Sequence, residues 1–313
     1  MGLVLKFIGG MNIMSDLIIV CGLPGSGKST YIPLVKPAKR MSSVVSTDDI
    51  REEINGDARD QSNANKVFEI AFDRIKKKLT EGYDVYFDAT NINYKKRMDI
   101  INRFRKYYDK VKCMFIYANF EECIERNRKR DRVVPYEVMK RMYYNFYVPQ
   151  MFEGFDEIIF VNNSKKTHSI KELDIILDID QENPHHKLKL LEHCKKANEY
   201  LERECPHNKT LQLAGYLHDI GKAKTKTYKN AKGEITDIAH YYNHEKVGAY
   251  DSLAYTEFLP FTKRLYIAQL IQWHMLLHNK NLTEKTIKKY KDRFGEDFWQ
   301  DLELLHKADL SAH

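Results

Sequence analysis

The most constraining stretch of this chain is Gly22-Leu-Pro-Gly-Ser-Gly27-Lys28-Ser29, which follows the apolar run Leu17-Ile-Ile-Val-Cys21 without a break. It satisfies G-x-x-x-x-G-K-[ST]. Glycines let a backbone wrap close to phosphate oxygens, and N–H groups at the start of the following helix bind the anion. A strand, a loop and a helix are therefore expected, with Gly22, Pro24, Gly25, Ser26, Gly27, Lys28, Ser29 and Thr30 cradling the nucleotide phosphates. Lys28 would reach the β- and γ-phosphates and Ser29 would hold Mg²⁺.

Around that loop, short apolar runs alternate with longer charged segments. Leu17–Cys21, Ser43–Ser46, Asp84–Asp88, Val111–Tyr117 and Glu157–Val161 read as buried strands, with helical spacing in 65–79 and 95–107. Such alternation predicts a parallel sheet covered by helices. After Val161 no comparable strand series recurs, and 186–203, 211–217, 261–277 and 283–294 carry helical spacing. Eleven of the twelve histidines lie between His185 and His313. The expected organisation is an α/β P-loop domain (parallel sheet flanked by helices) at 1–165, a linker at 166–182 and an all-α domain at 183–313. Asp178-Ile-Asp180 has the Asp-x-Asp of another phosphatase superfamily but lacks the Gly-Thr that goes with it. Met14 is a second possible start.

Of 313 residues, 43% are hydrophobic and 30% charged, enough apolar material for two packed cores. The longest apolar run is far too short to cross a bilayer, so no membrane partner is expected. The N-terminus has a single Lys6 and no small-residue cleavage site, and Lys6 stands where myristoylation wants Ser or Thr. Five scattered cysteines without a C-x-x-C pair fit a reducing compartment, so a cytoplasmic location is expected. A net charge of +7 is compatible with a polyanionic partner.

A phosphate loop serves hydrolases and kinases alike, and the next carboxylates separate them. Asp48-Asp-Ile-Arg51 should open a helix beside the loop. Phosphoryl transfer to an alcohol wants a carboxylate to accept the hydroxyl proton, and an Arg suits a phosphate of the acceptor. The plainer reading makes Asp48 a helix N-cap. Asp88, ending a strand, is a candidate for orienting Mg²⁺ or the acceptor. In Arg126-Asn-Arg-Lys-Arg130-Asp-Arg132, Arg126 and Arg130 are four apart, hence expected on one helix face as a lid over developing charge. A solvated basic face is the bland alternative.

Residues 17 to about 161 resemble the phage-type polynucleotide 5′-hydroxyl kinase family. The stretches that carry the likeness are Gly-Leu-Pro-Gly-Ser-Gly-Lys-Ser-Thr, Asp48-Asp-Ile-Arg51, Asp88-Ala-Thr-Asn91, and Arg126-Asn-Arg-Lys-Arg130 followed by Val134-Pro135. The resemblance implies ATP and Mg²⁺ as cofactors, Asp48 as general base and Arg51 on the phosphate 3′ to the attacked nucleoside. It also implies that Arg126 and Arg130 belong to a catalytic lid.

In the histidine-rich part, His218-Asp219 sits in Leu217-His-Asp-Ile-Gly-Lys222. An adjacent His-Asp pair on a helix can place a nitrogen and an oxygen on metal, with Asp able to bridge two ions. His193 and Asp309 would complete a four-ligand set, and His244 and His274 would serve a second ion. Nitrogen and oxygen ligands suit Mn²⁺, Fe, Co²⁺, Ni²⁺ or Zn²⁺. Residues 184–313 resemble the HD phosphohydrolase superfamily, with the closest likeness to the HD module of CCA-adding enzymes. The match runs through Asn183-Pro-His185-His186, His193, the His218-Asp219 segment, Tyr241–Gly248 and Asp309. The resemblance implies metal ligation by His193, His218, Asp219 and Asp309, with His244 and His274 serving members that bind a second ion, and a Lys222 that neutralises the substrate phosphate. No nucleotidyltransferase module accompanies it.

Together the halves are similar to bacterial HD-kinase end-healing enzymes, with the domain order reversed. The expected activity is ATP-dependent 5′-OH polynucleotide phosphorylation joined to metal-dependent hydrolysis of 2′,3′-cyclic, 2′- or 3′-phosphate ends on RNA or DNA, with a nucleic-acid ligase as an expected partner. The alternative is a small-metabolite kinase fused to an HD nucleotide phosphohydrolase. Arg51 and the basic run argue against it, because a small alcohol needs no second phosphate contact. A nucleotide-sensing RNA-binding module without turnover is a third reading.

Overall fold

A computed structural model describes residues 7–8, 11–12, 15–35, 40–57, 60, 62–184 and 187–312. Met14, His185 and His186 lie outside the described residues. The chain divides into two compact units. One runs up to Met142 and includes Pro149–Lys165; the other comprises Tyr143–Val148 and the chain from Lys166 onward.

In the first unit β1 (Phe7–Ile8) and β2 (Met11–Asn12) pair as a short antiparallel ribbon. Then come β3 (Asp16–Cys21), α1 (Lys28–Val35), β4 (Ser42–Ser46), α2 (Thr47–Asn55) and α3 (Ala64–Thr80). They are followed by β5 (Asp84–Asp88), α4 (Tyr94–Phe104), β6 (Lys110–Tyr117), α5 (Phe120–Arg128), α6 (Tyr136–Tyr144) and β7 (Glu157–Asn162). The five strands β3 to β7 form a wholly parallel sheet in the order β4-β5-β3-β6-β7. Every residue of β3 is buried, as a continuous apolar run in the middle of a parallel sheet must be. Ile18 and Val20 pack with Ile32 of α1 and with Tyr86, Met114, Ile116 and Val161 of the flanking strands. The chain leaves β3 for β4 on one side and later returns to β6 on the other. Ligands of such sheets bind at that reversal, beyond the carboxyl ends of the strands, and there the phosphate loop sits.

A buried ion pair braces this end. Arg97 Nε and Nη2 on α4 donate to the two carboxylate oxygens of Glu153, each at 2.6 Å, and Nη1 donates to the Asn91 carbonyl at 2.7 Å. Burial raises the Glu153 carboxyl while Arg97 opposes the rise. Removing one partner strands a charge in the core, so Glu153→Ala is expected to cost about 3–5 kcal/mol, read as a lowered melting temperature.

The second unit is helical. It contains α7 (Ile170–Leu177), α8 (Leu190–Glu204), α9 (Lys209–Leu217), α10 (Lys222–Thr225), α11 (His244–Tyr255), α12 (Phe261–Trp273), α13 (Glu284–Phe294) and α14 (Glu296–Ser311). Between α10 and α11 an antiparallel hairpin, β8 (Thr227–Lys229) with β9 (Ile235–His240), adds two strands that an all-α reading did not include. Beyond its exposed first turn α12 is buried on most of its circumference, with Ile267, Ala268, Leu270 and Ile271 fully buried, which marks it as the central helix. The stretch expected as a linker carries α7, closed by a Ser169–Glu172 capping box and burying Leu173 and Leu177.

Candidate active sites

In the first unit the phosphate loop is shaped by contacts only glycine permits. Gly25 and Gly27 have φ of +81° and +100°, and a Cβ on Gly25 would lie 2.3 Å from the Cys123 carbonyl oxygen. A Cβ on Gly22 would meet the Ile116 carbonyl oxygen at 2.5 Å. The Asp88–Asn91 stretch braces the loop: Gly22 N–H donates to the Thr90 carbonyl, and the Asn91 amide donates to Val20 O at 2.7 Å. Asn163, which the sequence did not single out, donates to the Ser26 carbonyl at 2.8 Å from the other side.

Lys28 Nζ donates to the carbonyls of Gly22 and Leu23, both at 2.9 Å. Burial lowers its hold on a proton, and Asp88 opposes that. Ser29 Oγ lies 3.4 Å from Asp88 Oδ2, so a hydroxyl and a carboxylate face each other as a magnesium-binding pair requires. Burial pushes the Asp88 carboxyl up, with Lys28 pulling the other way. These two residues, Asp48, Asp49, Glu52, Arg130 and Arg132 line a cleft of about 440 Å³.

Asp48 is not the N-cap of α2. Ser46 takes that role, accepting from Asp49 N–H, and Asp48 stands in the first turn. Its Oδ1 receives Arg51 Nη1 at 2.5 Å and its Oδ2 receives Arg132 Nη1 at 2.6 Å. Arg132 lay inside the basic run without a role of its own.

The expectation that Arg126 and Arg130 share a helix face is corrected. α5 ends at Arg128, because the Asn127 side chain captures both backbone groups of Val134 and folds the chain over. Arg130 therefore sits in the turn beyond the helix and lines the cleft, while Arg126 donates to the Asn163 carbonyl at 2.7 Å.

In the second unit the histidine ligand candidates converge. α8 supplies His193, α11 opens with His244, His274 follows α12, and α14 supplies Asp309. His218 and Asp219 stand in the turn between α9 and α10, a correction to their expected place on a helix. The turn suits them, because it presents both side chains to one point. His193 Nε2 lies 3.2 Å from Asp219 Oδ2 and from Asp309 Oδ1, with His218 Nε2 3.1 Å away. The other oxygen of Asp219 faces His244 Nε2 at 3.2 Å and His274 Nε2 at 3.6 Å. Two ligand groups, His193-His218-Asp219-Asp309 and Asp219-His244-His274, thus share one carboxylate.

The donor chemistry fits divalent cations. The Nδ1 atoms of His193, His218, His244 and His274 bond to the carbonyls of Ala312, Gly215, Tyr241 and Ile271. A carbonyl only accepts, so each Nδ1 carries a hydrogen and each Nε2 is the ring nitrogen left to face the cluster. Backbone partners of this kind fix the tautomer of metal-binding histidines. Burial works against charge on His218, but Asp219 and Asp309 pull its pKa up to about 10. Asp309 is itself held well below the usual carboxylate range by its histidines, against the effect of burial. Both facts describe a pocket that draws positive charge.

Lys222 is buried, with its ammonium on Asp219 Oδ2 at 2.6 Å and Gln181 Oε1 at 3.0 Å. Its charge thus goes first to the shared carboxylate. His278, which sequence reasoning passed over, donates its Nε2–H to Asp309 Oδ2 at 2.7 Å. Gly221 makes room for the cluster, since a Cβ there would lie 2.1 Å from the His244 carbonyl oxygen. Gly221→Ala is therefore expected to push α11 back and weaken metal binding by about 10–100-fold, read by titrating Mn²⁺ into the chelator-treated protein.

Residues 17–149 match the family described as AAA domain, and residues 186–297 match the family described as HD domain. The chain is thus a P-loop kinase domain of the first family followed by an HD domain of the second. L-seryl-tRNA(Sec) kinase of Methanococcus maripaludis is 28% identical over 229 residues, which is 68% of this chain and 84% of the relative. A chain of the Pnkp1/Rnl/Hen1 RNA repair complex is similar at 20% identity and a TM-score of 0.39, covering 44% of this chain and 45% of that one. The chain thus spans under half the length of that neighbour. A provisionally named kinase from Chloroflexus aurantiacus aligns at 15% identity and a TM-score of 0.40, covering 48% of this chain and 85% of that one. Among the described residues no helix is long and apolar enough to cross a membrane.

Proposed function

We propose that this protein heals nucleic-acid ends, phosphorylating 5′-OH termini with ATP and hydrolysing 2′,3′-cyclic, 2′- or 3′-phosphate termini. The observation that carries the reading is Asp48, which lines the same cleft as Ser29 and Asp88 and is paired with Arg51 behind it. A carboxylate to take the hydroxyl proton and a guanidinium for a neighbouring phosphate are what a polynucleotide acceptor needs.

As the acceptor oxygen attacks the γ-phosphorus its proton passes to Asp48, the bond to the β-phosphate oxygen breaks and ADP leaves. Lys28 and Arg130 offset charge developing on the transferred group. Ser29 and Asp88 would hold the Mg²⁺ that accompanies the nucleotide. In the HD unit, His193, His218, Asp219, His244, His274 and Asp309 would hold one or two transition-metal ions. Bound there, such ions supply Lewis-acid polarisation of a phosphoryl oxygen and lower the pKa of water. Mn²⁺, Ni²⁺, Co²⁺, Fe and Zn²⁺ all suit this nitrogen and oxygen donor set. The products, a 5′-phosphate and a 3′-OH, are the ends a ligase joins, which makes a ligase the proposed partner.

A second reading follows from the seryl-tRNA kinase relative: a P-loop kinase acting on the hydroxyl of an aminoacyl group rather than of a ribose. A panel of acceptors with labelled ATP separates the two. Label on a 5′-OH oligonucleotide, with none on seryl-tRNA or free serine, supports end healing; the converse supports the second reading.

A further inference from the structure

We infer that Arg132 reads a phosphate of the acceptor, working with Arg51 across the general base. The inference rests on the kinase half of the proposed function. Asp48 is a half-exposed carboxylate, yet each of its oxygens is taken by a separate guanidinium, from Arg51 at 2.5 Å and from Arg132 at 2.6 Å. Either arginine alone would neutralise it. Together the three side chains carry a net charge of +1, the complement of one phosphodiester.

The two arginines differ in origin. Arg51 is three residues from Asp48 on α2 and pairs with it as a helix neighbour does. Arg132 comes from the turn that Asn127 and Val134 fold back after α5, and it reaches Asp48 through space. Each arginine meets Asp48 through Nη1, one nitrogen of a five-donor fork, so donors remain on both. Arg51 Nε is buried without a hydrogen-bond partner among the described residues. Arg132 also lines the cleft that contains Ser29, Asp48 and Asp88. A phosphate set beside Asp48 would thus find two planar forks, while the reacting hydroxyl meets the carboxylate between them. Arg forks of this kind recognise phosphate oxygens in pairs.

A plainer role for Arg132 is a clip that closes its turn onto α2. The two roles part on the ligand. Calorimetric titration of the full chain with Mg-ADP present compares adenosine 3′-monophosphate with adenosine. The expected result is at least about tenfold tighter binding of the 3′-monophosphate by the wild type. Arg132→Ala should lose most of that preference while its affinity for adenosine stays within about twofold. Arg132→Lys should keep a part, holding the charge without the fork, and it carries the test if the alanine variant melts early. Equal weakening of both ligands would make Arg132 a clip and overturn the inference. So would a full preference retained in Arg132→Ala, or no preference in the wild type. Turnover on a 5′-OH oligonucleotide is measured alongside. Its absence, with an Arg132-dependent preference intact, would remove the proposed reaction and leave the phosphate contact standing.

Discussion

Asp219→Ala is expected to empty both ligand groups of the HD unit at once. Its two oxygens face different histidine pairs, Oδ2 toward His193 and His218 and Oδ1 toward His244 and His274. Among the described residues no other side chain belongs to both groups. Loss of a shared anionic ligand should lower metal affinity by more than about 100-fold, beyond the range for an outer partner. It also leaves the Lys222 ammonium buried beside the histidines without its carboxylate. Metal analysis after dialysis should find little bound ion, and phosphate-end hydrolysis should vanish in every divalent metal. Kinase turnover should persist within about twofold, because the kinase candidates all lie in the other compact unit. His244→Ala is the contrast: it removes a ligand from one group only, so metal bound at the other should remain.

The second large effect concerns the kinase cleft. Asp48→Asn keeps a side chain of the same shape but cannot take the hydroxyl proton, and should cost about 10²–10⁴-fold in turnover. Lys28→Ala removes the ammonium that the phosphate loop folds around and should cost at least as much. Both are read as initial rates of γ-phosphate transfer, with hydrolysis of a 3′-phosphate end as the internal control for folding. Near wild-type transfer by Asp48→Asn would remove the general-base role.

Much of this was legible in the residues. The strand Asp84–Asp88 was readable from its buried Val-Tyr-Phe core, and Glu157–Val161 from its Ile-Ile-Phe-Val run, although at the sheet edge only Val161 is buried. The histidines that converge in the second unit stood out because His218-Asp219 is an adjacent pair and the others cluster in one part of the chain. What was not legible has physical causes. The Ile235–His240 strand lies in a mostly exposed hairpin, so it shows no apolar run. Arg126 and Arg130 parted because a single buried side chain, Asn127, ends α5 by bonding to Val134, and no periodicity carries that information. The Arg132–Asp48 contact joins residues from distant elements of the fold, as does His278 with Asp309. Such pairs exist only once the fold brings them together.

The central claim is tested most directly on one oligoribonucleotide bearing a 5′-OH and a 2′,3′-cyclic phosphate, incubated with the full chain, ATP, Mg²⁺ and Mn²⁺ and weighed by mass spectrometry. The predicted product carries a 5′-phosphate and a freed 3′ end, with the first change lost in Lys28→Ala and the second lost in Asp219→Ala. An oligonucleotide unchanged at both ends, from a preparation that does transfer phosphate from ATP to seryl-tRNA or to a small alcohol, would contradict it.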